Sequence, residues 1–128
     1  MAHILLLEPD SLIAGSISRY FANANHSVAV HSDPQQAVIS ADRQLPDAVI
    51  TELQLAGRSG AEFLYEFRSY PDWQSIPVIV FTNLPPDQVK TYEEALAQLN
   101  VTACLRKSGT GLDELLRQAE QALSYEKV

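Results

Sequence analysis

Short runs of apolar residues alternate along the chain with segments in which apolar residues recur every three or four positions. The first pattern is typical of buried strands and the second of helices that pack by one face. Because continuous apolar strands between helices indicate a parallel sheet covered on both faces, we predict one α/β domain over 1–128. It has five strand–helix units. The predicted strands are 4–7, 27–31, 48–51, 77–81 and 103–106, and the predicted helices are 11–24, 34 to at least 41, 61–69, about 85–99 and 112–123.

Composition and charge narrow the classes of function. The formal charge is −7 and the sequence pI is near 4.8, which disfavours nucleic acid as a partner, because phosphate binding needs clustered Lys and Arg. A basic protein partner is still compatible with this charge. The single cysteine excludes an internal disulfide and a cysteine-based zinc site. No secretory leader pattern and no apolar run of membrane-spanning length occurs, so we expect a cytoplasmic protein that does not bind membranes.

Polar and charged residues follow the predicted strands at their carboxyl ends. In doubly wound α/β domains this edge of the sheet carries the binding site. The residues at these positions are Glu8 to Asp10, Glu52, Thr82 with Asn83, and Lys107 with Ser108. The sequence therefore predicts a site made of carboxylates, a hydroxyl and an ammonium group.

Four phrases in register carry a family resemblance over the whole chain: "ILLLEPD", "PDAVITELQLAGRSGAEFLYEFR", "IPVIVFTN" and "CLRKSG". In order and spacing they resemble the receiver domain of two-component response regulators. The resemblance implies a flavodoxin-like sheet with strand order 2-1-3-4-5 and five helices. It also implies an aspartate that accepts a phosphoryl group from a histidine kinase, with Mg²⁺ bound nearby. Thr82 matches the family's hydroxyl position and Lys107 its lysine.

Three departures from the family pattern fall on the site itself. Glu52 stands at the acceptor position, Pro9 replaces the second acidic residue after the first strand, and Cys104 occupies the aromatic switch position. The extra methylene of a glutamate moves its carboxylate outward by up to ~1.5 Å. Misplacement by about 1 Å can cost ~10²-fold in rate. We interpret Glu52, Thr82 and Lys107 as a degenerate phosphoacceptor site. A second interpretation, which the resemblance implies, is that Glu52 imitates the phosphorylated state, and such mimicry should be partial because a carboxylate has fewer oxygens and less charge than a phosphoryl group. We expect no catalytic residue and no enzyme activity.

Metal binding at this site has three candidate carboxylates. Glu8, Asp10 and Glu52 could form a weak Mg²⁺ site, with the backbone carbonyl of Gln54 as a further ligand. Asp10 is also the natural N-cap of the first helix, and we favour that role for it. Pro9 offers no side-chain oxygen.

Three functions are compatible with these residues. The first is an atypical receiver, or pseudo-receiver, that signals without phosphorylation through protein contact at the face of the fourth helix, fifth strand and fifth helix. Only residues 124–128 follow the last apolar position of the final helix in the given sequence, so we expect the signal to be received by another molecule. That partner would be a histidine kinase, an output protein or a second copy of the chain. The second is a working Mg²⁺-dependent phosphoacceptor in a histidine kinase phosphorelay. The third, an FMN carrier, is disfavoured because a Glu-Pro-Asp loop repels phosphate.

Five smaller expectations concern residues near or outside the site. Leu12 is assigned to the apolar side of the first helix, and Cys104 to a buried apolar position. Gly57 and Gly60 are expected to supply turn conformations, with Ser59 as a cap of the third helix. The three histidines, His3, His26 and His31, are interpreted as unpaired.

Overall fold

The computed structural model describes residues 1–55 and 58–126, and it confirms the predicted α/β domain with helices on both sides of a parallel sheet. A short 3₁₀ turn follows the third helix and another follows the last strand. The strands are β1 His3–Leu7, β2 Ser27–His31, β3 Ala48–Thr51, β4 Gln54–Leu55, β5 Arg58–Ser59, β6 Val78–Thr82 and β7 Val101–Arg106. The helices are α1 Ser11–Asn23, α2 Pro34–Arg43, α3 Gly60–Ser69, α4 Pro86–Lys90, α5 Glu93–Gln98 and α6 Leu112–Glu126.

The main sheet has the order β2-β1-β3-β6-β7, and all its pairings are parallel. Counted along its own five strands, this is the order 2-1-3-4-5 that the family resemblance implies. Every residue of β3 and β6 is buried. These two strands lie at the centre of the sheet, so their carboxyl ends bring the residues that follow them into the middle of one edge.

Two apolar cores separate the sheet from its helices. One contains the α3 residues Phe63, Leu64 and Phe67 with Trp73, and the other contains Ile17 and Phe21 of α1 with Leu115 of α6. Side chains of β1 alternate between the two cores: Leu5 and Leu7 face the first, and Ile4 and Leu6 the second. A strand buried on both faces must be apolar throughout, which explains the continuous runs in the sequence.

The fourth predicted helix is divided. The structure has α4 and α5 in place of one helix over about 85–99, with Thr91 and Tyr92 between them. The Thr91 hydroxyl donates to the carbonyl of Gln88 at 2.7 Å, and such local bonds compete with the helical ladder.

Across the described ranges, no helix is both long enough and apolar enough to cross a bilayer.

The loop after β3 contains a short element that the sequence pattern does not predict. β4 and β5 pair in antiparallel fashion, Gln54 with Ser59 and Leu55 with Arg58. Ser59 caps α3 as expected, since its hydroxyl accepts from the amides of Ala61 and Glu62. The expectation for Gly57 lies outside the described residues.

Two side chains expected to be buried are exposed, and both predictions are wrong. Leu12, in the first turn of α1, is 81% exposed. The buried face of that helix consists of Ala14, Ile17 and Phe21. Cys104 lies on β7, an edge strand whose residues alternate between half-buried and exposed, and it falls on the exposed side. Successive side chains of a strand point to opposite faces of the sheet, and Cys104 points to the exposed face. Its burial was therefore decided by its position in the strand and not by the apolar character of cysteine.

Candidate functional site

Side chains from the ends of four strands meet at one edge of the sheet. Glu8 follows β1, Glu52 follows β3, Thr82 ends β6 and Lys107 follows β7. Glu8, Glu52 and Thr82 are buried, and the side chain of Lys107 is 8% exposed. The structure thus brings together all three residues of the sequence-predicted degenerate site, with Glu8 beside them.

The carboxylate of Glu52 accepts from five donors among the described residues. Its Oε2 accepts from the amides of Leu53 at 2.6 Å and Gln54 at 3.1 Å, and from the hydroxyl of Thr82. Its Oε1 accepts from the amide of Asn83 at 3.1 Å and lies 2.9 Å from Lys107 Nζ. A carboxylate offers about four lone-pair sites, so these contacts saturate both oxygens.

The hydrogen bonds keep Glu52 ionised despite its burial. Burial raises the pKa of this carboxyl, but hydrogen bonds from Thr82, Lys107 and the Gln54 backbone, together with the positive charge of Lys107, outweigh it. The pKa of Glu52 therefore lies below its ordinary value of 4.5. The negative charge of Glu52 also raises the pKa of the Cys104 thiol, in addition to the larger effect of that thiol's partial burial.

Glu8, Pro9 and Asp10 connect β1 to α1, with a bend at Pro9. The Glu8 side chain reaches across Pro9 and its Oε2 accepts from the amide of Asp10 at 3.1 Å. The Asp10 carboxylate points to the helix instead, where it accepts from the amides of Leu12 at 2.9 Å and Ile13 at 3.2 Å. The structure therefore places Asp10 as the N-cap of α1 and does not bring its carboxylate to Glu52.

Lys107 joins the two buried carboxylates. Its ammonium group lies 2.6 Å from Glu8 Oε1 and 2.9 Å from Glu52 Oε1. Charged pairs this close in a desolvated setting are strong hydrogen bonds as well as ion pairs. Within residues 1–55 and 58–126, no three His, Cys, Asp or Glu side chains are grouped so as to hold a metal ion.

Gly60 sets the distance between α3 and the residue that carries the site. A Cβ atom at Gly60 would stand 2.3 Å from the carbonyl oxygen of Glu52 and 2.8 Å from the Cα of Leu53. The amide of Gly60 also donates to the carbonyl of Leu53 at 2.7 Å. The sequence pattern predicts a turn conformation at Gly60, whereas the structure requires glycine here for the close approach of two backbone segments. A glycine directly after the N-cap serine, at the first position of the helix, is a signal that sequence alone could have used.

His26 is paired, contrary to the sequence interpretation. Its Nδ1 accepts from the amide of Ala2 at 3.1 Å, and its Nε2 lies 2.9 Å from Glu120 Oε2. His3 is paired as well, through Nδ1 to the hydroxyl of Ser27 at 2.8 Å. His26 joins the residue before β1 to α6 at the amino ends of the strands, opposite to the site. These contacts link residues far apart in the sequence, and no local motif predicts them.

A match to the response regulator receiver domain family covers residues 4–120. The chain therefore belongs to this family, whose members are signalling domains of two-component systems and not enzymes. Among curated proteins, it is 28% identical over 120 residues to the regulatory protein VanRB of Enterococcus faecalis, covering 83% of this chain and 53% of that protein. It is also 28% identical over 95 residues to the probable transcriptional regulator ycf29 of Cyanophora paradoxa, covering 73% and 45%. The chain spans about half the length of these relatives.

Solved structures share the same fold. The chemotaxis response regulator CheY4 of Vibrio cholerae superposes with a TM-score of 0.84 at 20% identity, covering 95% of this chain and 98% of that one. The receiver domain of the sensor histidine kinase PA1611 from Pseudomonas aeruginosa has a TM-score of 0.81 at 24% identity, covering 96% and 98%. That structure has a magnesium ion coordinated in its active-site cleft.

Proposed function

We propose that this chain is an atypical receiver, a pseudo-receiver that signals by protein contact without being phosphorylated. The observation that carries the proposal is the saturation of the Glu52 carboxylate by five donors within the described part of the chain. A phosphoryl acceptor must present a free oxygen lone pair in line with the leaving group. Each Glu52 oxygen is instead engaged by amides, by Thr82 or by Lys107. The hydrogen-bonding capacity of the Glu52 carboxylate is used up within the protein, and the site presents no exposed nucleophile.

The donor set does not fit the magnesium site that the family implies. Mg²⁺ requires near-octahedral oxygen ligands and is usually bound by one or two carboxylates. Pro9 supplies no oxygen, Asp10 is occupied as a helix cap, and Glu8 and Glu52 are both paired with Lys107. We therefore assign no role to Mg²⁺ in this chain, although a related receiver domain binds it.

The output of a domain without phosphorylation is binding. We place the binding surface on the face formed by α4, α5, β7 and α6, where a groove of about 480 Å³ runs between Val89, Leu96, Ala103 and Cys104. The occupant we propose is a partner protein of a cytoplasmic signalling system, such as a histidine kinase or an output protein. A second copy of the chain on the same face is the other outcome, and the molar mass in solution distinguishes the two.

Amide NMR spectra recorded with Mg²⁺ and then with Mg²⁺ and beryllofluoride, an acyl phosphate analogue, test the proposal. We expect no site-specific shift in the wild type at residues 8–10, 52–54, 82–84 and 107. The doubly repaired variant, Glu52→Asp with Pro9→Asp, restores a short acceptor and a carboxylate after β1. It should respond at those residues. Glu52→Asp alone should respond less.

The control is Glu94→Asp, which removes a methylene from an exposed glutamate of α5 and should leave the spectra of the site unchanged. Beryllofluoride-dependent shifts in the wild type at the Glu52 cluster would establish the alternative, a phosphoacceptor that works through glutamate. A shift confined to the repaired variant supports the pseudo-receiver.

A further inference from the structure

We infer that Lys107 is the resident cation of this site and that its ammonium group keeps divalent metal ions out. The inference deepens the proposed function and rests on it in one respect, since it takes the buried cluster to be the resting state of the domain. The exclusion of divalent metal ions can be measured separately from phosphorylation.

The position of the ammonium group carries the inference. Nζ lies between one oxygen of each carboxylate, at 2.6 Å from Glu8 Oε1 and 2.9 Å from Glu52 Oε1. A metal ion bound by both carboxylates would have to use this space or these oxygens. The other oxygens are occupied too: Glu8 Oε2 by the amide of Asp10, and Glu52 Oε2 by three donors.

Charge balance explains why a cation is needed at all. The Glu8 and Glu52 side chains are 2% and 3% exposed, and Lys107 is 8% exposed. Two carboxylates held this far from water require compensation, because burying unpaired charge is strongly unfavourable. Lys107 supplies it through a covalently attached group, whose presence does not depend on the concentration of any ion. With Lys107 neutralised, the two carboxylates would become an anionic cleft that attracts a free cation.

Lys107→Met tests this directly, because methionine preserves the length of the side chain and removes its charge. The matched control is Lys90→Met, which makes the same change at an exposed position on α4. Each protein is titrated with MnCl₂ while paramagnetic broadening of its amides is followed, and MgCl₂ is then added in competition. We expect Lys107→Met to bind Mn²⁺ at least about tenfold more tightly than the wild type, since a like charge in contact with the ion is removed. The broadening should centre on residues 8–10 and 52–54.

Lys107→Met also leaves two buried carboxylates unpaired and could fail to fold without metal. Lys107→Gln covers this case, because its amide still donates to the carboxylates while the charge is gone. Metal-dependent recovery of the folded spectrum in either variant supports the inference, since an ion that binds only the folded state stabilises it. Equal Mn²⁺ affinity at this cluster in wild type and both variants would overturn it.

The two proposals fail in different ways. If neither Lys107 variant gains a metal site while the wild type still ignores beryllofluoride, the role of Lys107 as an excluding cation is wrong and the pseudo-receiver stands. If the wild type responds to beryllofluoride, the proposed function fails, whatever the metal affinity of the Lys107 variants. Broadening limited to surface carboxylates in all proteins, the Lys90→Met control included, counts against the inference.

Discussion

The hydroxyl of Thr82 donates to Glu52 Oε2, which joins the carboxyl ends of β6 and β3 inside the protein. The hydroxyl has to be the donor, because an ionised carboxylate only accepts hydrogen bonds. The same hydroxyl oxygen accepts from the amide of Leu84 at 3.1 Å. Both Thr82 and Glu52 are buried. Thr82 therefore links the Glu52 carboxylate to the start of the segment that leads into α4, part of the face on which we place the partner.

Thr82→Val should destabilise the protein by about 1–3 kcal/mol. Valine has the shape of threonine, so the loss comes from the missing hydroxyl, which leaves the Leu84 amide and one Glu52 lone pair without a partner. Urea unfolding followed by circular dichroism measures it. Thr102→Val, a change of the same kind at an exposed position on β7, should alter stability by no more than about 0.5 kcal/mol. Equal effects of the two substitutions would show that the Thr82 hydroxyl contributes nothing.

Acidification should lower the free energy of unfolding, and part of this loss should come from protonation of Glu52. Because the pKa of Glu52 is lowered in the folded state, the unfolded state binds the extra proton more readily. The stabilisation is fully present above the unfolded value, near 4.5, and is lost as the pH falls through the folded value. Glu52→Gln should be less stable than the wild type at pH 7. The NH₂ group of the glutamine would face the hydrogen-bond donors that now surround the carboxylate, and two donors cannot pair. The variant should also lose less free energy of unfolding than the wild type between pH 6 and pH 3.5.

Denaturant unfolding across that pH range checks the prediction, with Glu94→Gln as an exposed control that should keep the slope of the wild type. A Glu52→Gln variant with the same pH dependence as the wild type would mean that Glu52 does not contribute to acid sensitivity.

The sequence predicted the architecture because burial on both faces leaves a strong pattern. A central strand such as Val78–Thr82 has to be apolar at every position but its last, and helices between such strands show their own period. Edge positions carry less information. Cys104 lies on an edge strand with one open face, and Leu12 lies in the first turn of a helix, where the face that is buried depends on how the helix is rotated.

The site was predictable to the extent that strand ends converge. Because Glu52, Thr82 and Lys107 each lie at or just after the carboxyl end of a strand of one parallel sheet, topology alone brings their side chains to one edge. The hydrogen bonds that engage the Glu52 carboxylate come largely from backbone amides, which every residue has and which therefore leave no trace in the sequence. Glu8 pairs with Lys107 whereas Asp10 caps α1, and this difference depends on the backbone bend at Pro9. The residue types do not specify the geometry of that bend.

Gly60→Ala should destabilise the protein by about 1–3 kcal/mol, since its methyl group would meet the backbone of Glu52 and Leu53. Backbone atoms cannot rotate away, so α3 or the loop after β3 has to move. We expect amide shifts at residues 52–54 in the NMR spectrum together with a lower midpoint of urea unfolding. Gly109→Ala is the control, because nothing lies within 4 Å of a Cβ at that position. An unchanged loop spectrum in Gly60→Ala would contradict the close approach seen here.

At the opposite edge of the sheet, two substitutions of His26 separate its two contacts. His26→Asn can keep an acceptor near the position of Nδ1 for the Ala2 amide, and it gives up the contact with Glu120. His26→Ala gives up both and leaves a buried amide without a partner, which costs about 1–3 kcal/mol. The Glu120 side chain is 50% exposed, so solvent replaces its lost contact at little cost. We therefore expect His26→Ala to be the less stable variant in urea, and hydrogen exchange at Ala2 to be fast in it but slow in His26→Asn. Equal stability and equal exchange in the two variants would show that the bond to Ala2 does not hold the start of β1 in place.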